Sequence, residues 1–139
     1  YQEFKLGKNV SLVQNQTYQL LSQSNMALVT SGTATLETAL FRVPQVVCYK
    51  SSALSYSIAK ALVKIKFISL VNLIMDKEIV RELIQQECNA ELMISELGKI
   101  TDGKQGRVEM LASYDELISL LGQSGCSDKM ALDLIQYLN

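Results

Sequence analysis

The sequence predicts an α/β chain: a partial, doubly wound parallel sheet followed by carboxyl-terminal helices. Three observations carry this expectation. Short apolar runs at 26–30 and 45–49 alternate with helix-like runs, the pattern of right-handed βαβ units. Between the first strand and its helix lies Ser31-Gly32-Thr33-Ala34-Thr35-Leu36-Glu37, with a glycine where the backbone must turn sharply. From Glu78 onward the apolar residues recur at helical spacing.

In chain order, residues 1–8 are polar and read as a leading loop or the end of a preceding helix. Residues 9–13 alternate like a short strand. A helix over 17–23 turns Leu20 and Leu21 inward. The strand at 26–30 is apolar enough to be buried on both faces. A helix over 34–41, a turn at Arg42, Val43 and Pro44, and a β-branched strand over 45–49 follow. The helix expected over 55–64 sets Lys60 and Lys64 four apart on one face, which suits either a solvated surface or a basic patch at a membrane. Residues 67–71 read as a fourth strand. Asn72 then stands at its carboxyl end, where ligands bind in open parallel sheets, although Asn is also a common turn residue. A helix from Glu78 has Ile79, Val80, Leu83 and Ile84 as its apolar stripe; Gln85, Gln86 and Glu87 close it, and Cys88 and Asn89 break it. Helices over 90–100 (Leu92, Ile94 and Leu97 toward the core), 107–121 and 128–138 pack and brace, with a loop at 102–106. Ser127 or Asp128 caps the last.

Composition narrows the function classes. The 139 residues are 48% hydrophobic and 19% charged, with one Pro and seven Gly, an ordinary globular balance for one domain. A net charge of −1 gives no bulk attraction to nucleic acid. Histidine is absent, which excludes a histidine base, triad or metal ligand from this chain. Cys48, Cys88 and Cys126 are widely spaced and odd in number, so reduced, cytoplasmic thiols are expected rather than a disulfide or zinc framework. No run reaches the ~18 apolar residues of a membrane span. The chain opens on Tyr1 rather than Met, as a piece of a longer protein would.

The chemistry concentrates at 31–37. Small residues around Gly32 leave the first helical N–H groups uncovered, and a bare helix N-terminus with its positive dipole end receives anions. Glu37 lies one turn on, and helical side chains lean toward the N-terminus. Its carboxylate would repel phosphate but accept hydrogen bonds from sugar hydroxyls. Together these describe a nucleotide site. The plainer reading is a helix cap; a capping box ending at Glu37 would need Ser or Thr at position 34, which is Ala.

Four stretches then line up: Val29-Thr-Ser-Gly-Thr-Ala-Thr-Leu-Glu37, Val43-Pro-Gln-Val-Val-Cys-Tyr49, Ser69-Leu-Val-Asn-Leu73 and Glu82-Leu-Ile-Gln-Gln-Glu-Cys88. The series resembles the carboxyl-terminal half of bacterial lipid-A-disaccharide synthases, from about Val10 to the last helix and most specifically between Ala27 and Glu87. The resemblance implies a partial Rossmann-like sheet of the two-domain GT-B glycosyltransferase fold, with 1–139 as one domain. It implies inverting transfer of 2,3-diacylglucosamine from its UDP derivative to 2,3-diacylglucosamine 1-phosphate, without metal or cofactor, at the cytoplasmic face of the inner membrane, with peripheral attachment and a homodimer. Carried over, Ser31, Gly32, Thr33 and Ala34 meet the diphosphate, Glu37 holds ribose hydroxyls, and Tyr49, Asn72 and Gln85 lie near the donor. Val71 stands where the family has Pro in Ser-Leu-Pro-Asn-Leu, which loosens the turn presenting Asn72.

The acceptor domain, the catalytic base and the first strand of the donor domain are expected outside this chain, which then places no catalytic residue here and does not catalyse transfer by itself. In the strand order 3-2-1-4-5-6, 26–30 would be the fourth strand, leaving three clear parallel strands, an unprotected edge, and an orphaned or collapsed strand at 9–13. Two alternatives stay open: a UDP-N-acetylglucosamine 2-epimerase-like fragment, for which histidines would be expected, and a non-enzymatic binding module with Ser31–Thr33 as a plain cap.

Overall fold

Three short parallel strands stand side by side in sequence order: β1 (Ala27–Thr30), β2 (Gln45–Tyr49) and β3 (Glu82–Ile84). The computed structural model describes residues 9–51 and 66–122, with Ile135 and Tyr137 as isolated helical positions. Thr30 pairs with Cys48, and Tyr49 pairs with Ile84, so the three carboxyl ends are level. Around the sheet lie α1 (Thr17–Gln23), α2 (Thr33–Leu40), α3 (Leu70–Met75), α4 (Ala90–Lys99) and α5 (Gln105–Leu121). A 3-10 turn, Gln85–Glu87, follows β3.

β2 is the central strand. Val46 and Val47 are both buried although successive strand residues face opposite ways, so both faces of this strand are covered, whereas β1, expected to be buried on both faces, leaves Leu28 47% exposed. Gln45 reaches α2 through Thr35, whereas Cys48, three positions on, lies against Cys88 at the foot of α4. The odd spacing puts α2 and α4 on opposite faces. Small and hydroxylated residues let α2 lie close. Thr35, Thr38 and Ala39 are buried, and the two threonine hydroxyls donate back to Gly32 O (2.8 Å) and Ala34 O (2.7 Å), so neither hydroxyl is stranded.

Met110, Tyr114 and Leu117 bring α5 onto the core formed by Ala39, Val46, Val47, Val71, Val80, Leu83 and Ile100. Gln45 Nε2 donates to Thr35 O (2.9 Å) and Tyr114 Oη (3.2 Å), tying α2, β2 and α5 with one amide. Burial pushes the Tyr114 hydroxyl well above the usual tyrosine range. Arg42 meets Asp115 through both guanidinium nitrogens, holding the α2–β2 turn to α5. Asn25, Asp102 and Arg107 form a similar clasp beneath β1.

Among the described residues, the three parallel strands and the unpaired β1 edge agree with expectation, but the third strand does not come from 67–71. That segment leads into α3, and the segment read as a helix from Glu78 is a loop followed by β3. The cause lies in side chains. Ser69 Oγ accepts from Asn72 N (3.3 Å) and caps α3, while Asn72 Oδ1 accepts from the N–H groups of Ile79 (2.8 Å) and Val80 (3.0 Å), so those donors are taken out of any helix. Residues 9–13 are exposed and pair with no strand among the described residues, so the expected strand is not formed there. Leu21 is buried, but Leu20 is exposed. In α4, Leu92 and Leu97 pack on the core, whereas Ile94, expected inside, is 71% exposed. The expected segments 1–8, 55–64 with Lys60 and Lys64, and most of 128–138 lie outside the described residues.

Candidate functional site

The level carboxyl ends of the strands form one edge, and the residues of interest collect there. β1 ends at Thr30; Ser31 and Gly32 make the turn; α2 begins at Thr33. Gly32 has φ 143° and ψ −163°, a region essentially closed to residues with a Cβ. A Cβ built there would meet nothing within 4 Å, so the backbone at this point is open to an approaching ligand. No side chain caps α2. The Thr35 N–H bends back to Gly32 O (3.2 Å). The N–H groups of Thr33 and Ala34 find no acceptor among the described residues. Ser31, the obvious cap, is used otherwise: its hydroxyl donates to Ile68 O at 2.8 Å. No side chain among the described residues therefore caps this turn, and the first N–H groups of α2 keep no acceptor among those residues.

Glu37 is half-buried, one turn into α2. It lines a cavity of about 620 Å³ with Asn15, Gln16, Thr17, Tyr18 and Gln19 from the start of α1. Tyr18 stacks on Phe41, centroids 5.3 Å apart, and this contact brings α1 beside the end of α2 to close that wall. The lining side chains are three amides, two hydroxyl-bearing groups and one carboxylate, Glu37. Sequence reading missed 15–19, because nothing local marks a segment that becomes a wall only by tertiary approach.

Tyr49 is 38% exposed at the carboxyl end of β2. Gln85 follows the last residue of β3 at φ 53°, a strained backbone for a residue with a Cβ. Its Oε1 accepts from Ser51 N at 3.0 Å, which joins the segments leaving β2 and β3. Ser31, Gly32, Thr33, Ala34, Tyr49 and Gln85 thus share this edge, with Glu37 one turn behind it. Asn72 does not stand at the carboxyl end of a strand, as the reading of 67–71 required. It lies inside α3, fully buried. Its Nδ2 donates to Val80 O (2.8 Å) and Glu82 Oε1 (2.9 Å), while its Oδ1 holds the two N–H groups already named, so its carboxamide is spent within the protein.

Glu82, not singled out from the sequence, is the centre of that cluster. Its Oε1 accepts from Ser69 N (2.9 Å), Ser69 Oγ (2.7 Å) and Asn72 Nδ2 (2.9 Å), and its Oε2 accepts from Ile68 N (2.9 Å). Only the pairing of a carboxylate with nearby Ser and Asn could have hinted at this. Cys48, beneath Tyr49, is pushed up to about 11 by burial and by the neighbouring Cys88, so it is no nucleophile at neutral pH. Among the described residues no group of His, Cys, Asp or Glu could hold a metal ion.

Comparison with known proteins gives this edge its context. A family model described as lipid-A-disaccharide synthetase matches residues 1–135. The chain is similar to the lipid-A-disaccharide synthase of Anaeromyxobacter dehalogenans strain 2CP-C, 37% identical over 126 residues covering 91% of this chain and 33% of the relative. It is 31% identical to that of Geobacter sulfurreducens over 95% of this chain and 34% of the relative. With that of Psychromonas ingrahamii it shares 45% identity over 81% of this chain and 29% of the relative. The chain therefore spans about a third of the length of the curated relatives it matches. With the family model matching nearly its whole length, the chain belongs to the lipid-A-disaccharide synthetase family.

Proposed function

We propose that this chain is the donor-nucleotide part of a lipid-A-disaccharide synthase, a single unit from the carboxyl-terminal half of a GT-B glycosyltransferase. The whole enzyme would transfer 2,3-diacylglucosamine from its UDP derivative to 2,3-diacylglucosamine 1-phosphate with inversion. The observation that carries this reading is the uncapped start of α2: Gly32 in a glycine-only conformation, free N–H groups at Thr33 and Ala34, and Glu37 one turn on beside a cavity. The diphosphate sits on those N–H groups, and Glu37 receives the ribose hydroxyls. Ser31 fixes the turn, and Tyr49 and Gln85 flank the donor from the adjoining strand ends. Asn72 serves from behind, holding the frame. The catalytic base comes from outside this chain.

Both substrates carry acyl chains, so the enzyme works at a bilayer surface, peripherally on the cytoplasmic face of the inner membrane. No helix among the described residues is long and apolar enough to cross a membrane. A homodimer of the whole enzyme belongs to the same reading. The family match favours neither the epimerase nor the plain binding module. The test is an amide NMR titration with UDP, with ADP as control. Shifts are expected at Gly32, Thr33 and Ala34 with UDP, and they are lost in Glu37→Ala. A well-folded spectrum that stays silent, also when the preceding part of the polypeptide is present, overturns the reading.

A further inference from the structure

Glu82 is 8% exposed, and no cation pairs with it among the described residues. Burying a carboxylate without a counter-ion is costly unless its oxygens are fully hydrogen-bonded. Here four donors converge on them: the N–H groups of Ile68 and Ser69, the Ser69 hydroxyl and the Asn72 amide. A glutamine could not substitute, since it offers one acceptor oxygen and replaces the other by a donor. What the carboxylate provides, then, is a fixed course for the chain at 68–72. The Ile68 carbonyl, in the same peptide plane as the Ser69 N–H that Glu82 holds, accepts the Ser31 hydroxyl. The residue at position 68 is gripped at its N–H by Glu82 and at its C=O by Ser31, the residue directly before Gly32.

We infer that Glu82 is a positioning residue for the nucleotide turn, acting through the residue at position 68 on Ser31 and hence on the N–H groups at the start of α2. This rests on the nucleotide reading above. Glu82 touches no ligand; it sets where the anion-receiving backbone stands.

The two oxygens of Glu82 have separable duties, which makes the inference testable. In Glu82→Gln the carbonyl oxygen takes the Oε1 position, where three donors meet, and the new NH2 faces the Ile68 N–H. That variant keeps the three bonds at Oε1 and sets two donors against each other at the Ile68 N–H, which displaces residue 68 and with it the carbonyl that Ser31 holds. The experiment measures steady-state kinetics of the full-length enzyme carrying this chain, for wild type, Glu82→Gln, Ser31→Ala, Ser31→Thr and the double variant Glu82→Gln/Ser31→Ala. Donor KM is expected to rise about tenfold in each of Glu82→Gln and Ser31→Ala, with acceptor KM unchanged. The double variant is expected to be no worse than the worse single one, because both cut one tether. Ser31→Thr, which keeps the hydroxyl, is expected to recover most of the donor KM lost in Ser31→Ala. An unchanged donor KM in Glu82→Gln, or effects that multiply in the double variant, overturns the inference. If Glu82→Gln does not fold, a normal donor KM in Ser31→Ala is by itself sufficient to overturn it, and a raised one restored by Ser31→Thr supports it. Failure of wild type to bind UDP is a separate result: it overturns the nucleotide reading itself, and the inference with it.

Discussion

Replacing Asn72 by alanine removes one carboxamide, strands three backbone partners and takes one of three donors from Glu82 Oε1. The N–H groups of Ile79 and Val80 lose their acceptor, Val80 O loses the amide donor, and Glu82 Oε1 keeps only the two donors of Ser69. The site is fully buried, so water does not easily replace the amide. Three neutral hydrogen bonds at about 1 kcal/mol each, and one to a carboxylate at about 2 kcal/mol, give a loss near 5 kcal/mol before relaxation. A net loss of about 3–5 kcal/mol is a large fraction of the ~5–15 kcal/mol that holds a domain together. Asn72→Asp keeps the acceptor for the two N–H groups but sets a second carboxylate where Nδ2 now lies 2.9 Å from Glu82 Oε1. At pH 7.5 it should be less stable than the alanine variant. Its folded state takes up a proton that the unfolded chain does not hold, so its deficit shrinks as the pH falls toward 5. Urea unfolding followed by circular dichroism at pH 7.5 and pH 5 measures both effects. A loss below about 1 kcal/mol in Asn72→Ala, or an aspartate variant no worse than alanine at pH 7.5, would refute the view that this amide is the internal frame of 68–82.

Three further outcomes are expected. Gly32→Ala forces a Cβ onto a backbone at φ 143° with open space around it, so its cost of about 1–3 kcal/mol is purely conformational; unchanged urea stability would contradict the geometry. Gly106→Ala brings a Cβ to 2.7 Å from the Lys99 carbonyl oxygen, and the α4–α5 junction must shift at a cost of about 1–3 kcal/mol; a loss under about 0.5 kcal/mol by the same unfolding assay is the refuting result. Cys48, raised from 9.0 to about 11, should be alkylated by iodoacetamide about a hundredfold more slowly at pH 8 than a thiol at the ordinary value, speeding up only as the pH approaches 11. Mass spectrometry of the labelled peptide decides this, and labelling as fast as in the unfolded chain counts against it. By linkage the folded state holds this proton more tightly than the unfolded chain, so the associated stability is intact below pH 9 and is lost toward pH 11.

The βαβ unit from Ala27 to Tyr49 was legible because local signals agree along it. An apolar run, a glycine break, a helix of small residues, a proline and a β-branched run all point the same way. The segment 67–84 was read in reverse, strand then helix, for a definite reason. Apolar runs of about five residues satisfy either period, and the arbiters are the Asn72 and Glu82 side chains, which act across the fold. Asn72 was legible as special but not as internal: a polar residue after an apolar run looks the same whether it faces a ligand or a buried backbone. Glu82, following Arg81, looks like part of a solvated charge pair. Ile94 was misplaced because α4 has apolar residues on more than one face and only packing selects among them. At the site, Ser31 to Glu37 was legible in sequence, whereas the wall from Asn15 to Gln19 depends on the Tyr18–Phe41 stack, which has no local signature.

The carboxyl edge of the sheet is fastened mostly by hydrogen bonds between side chains and backbone: Ser31 to Ile68, Gln85 to Ser51, and Glu82 to 68–69. The turn at 31–32 and the segments 66–72 and 85–87 are therefore held in place before anything arrives, and little of their chain entropy remains for a ligand to remove. Association at such an edge should release heat through polar contacts and bury little additional apolar surface. Calorimetry across a range of temperatures would accordingly find an exothermic event with a small heat-capacity change, unlike the large negative value left by a segment that folds on binding.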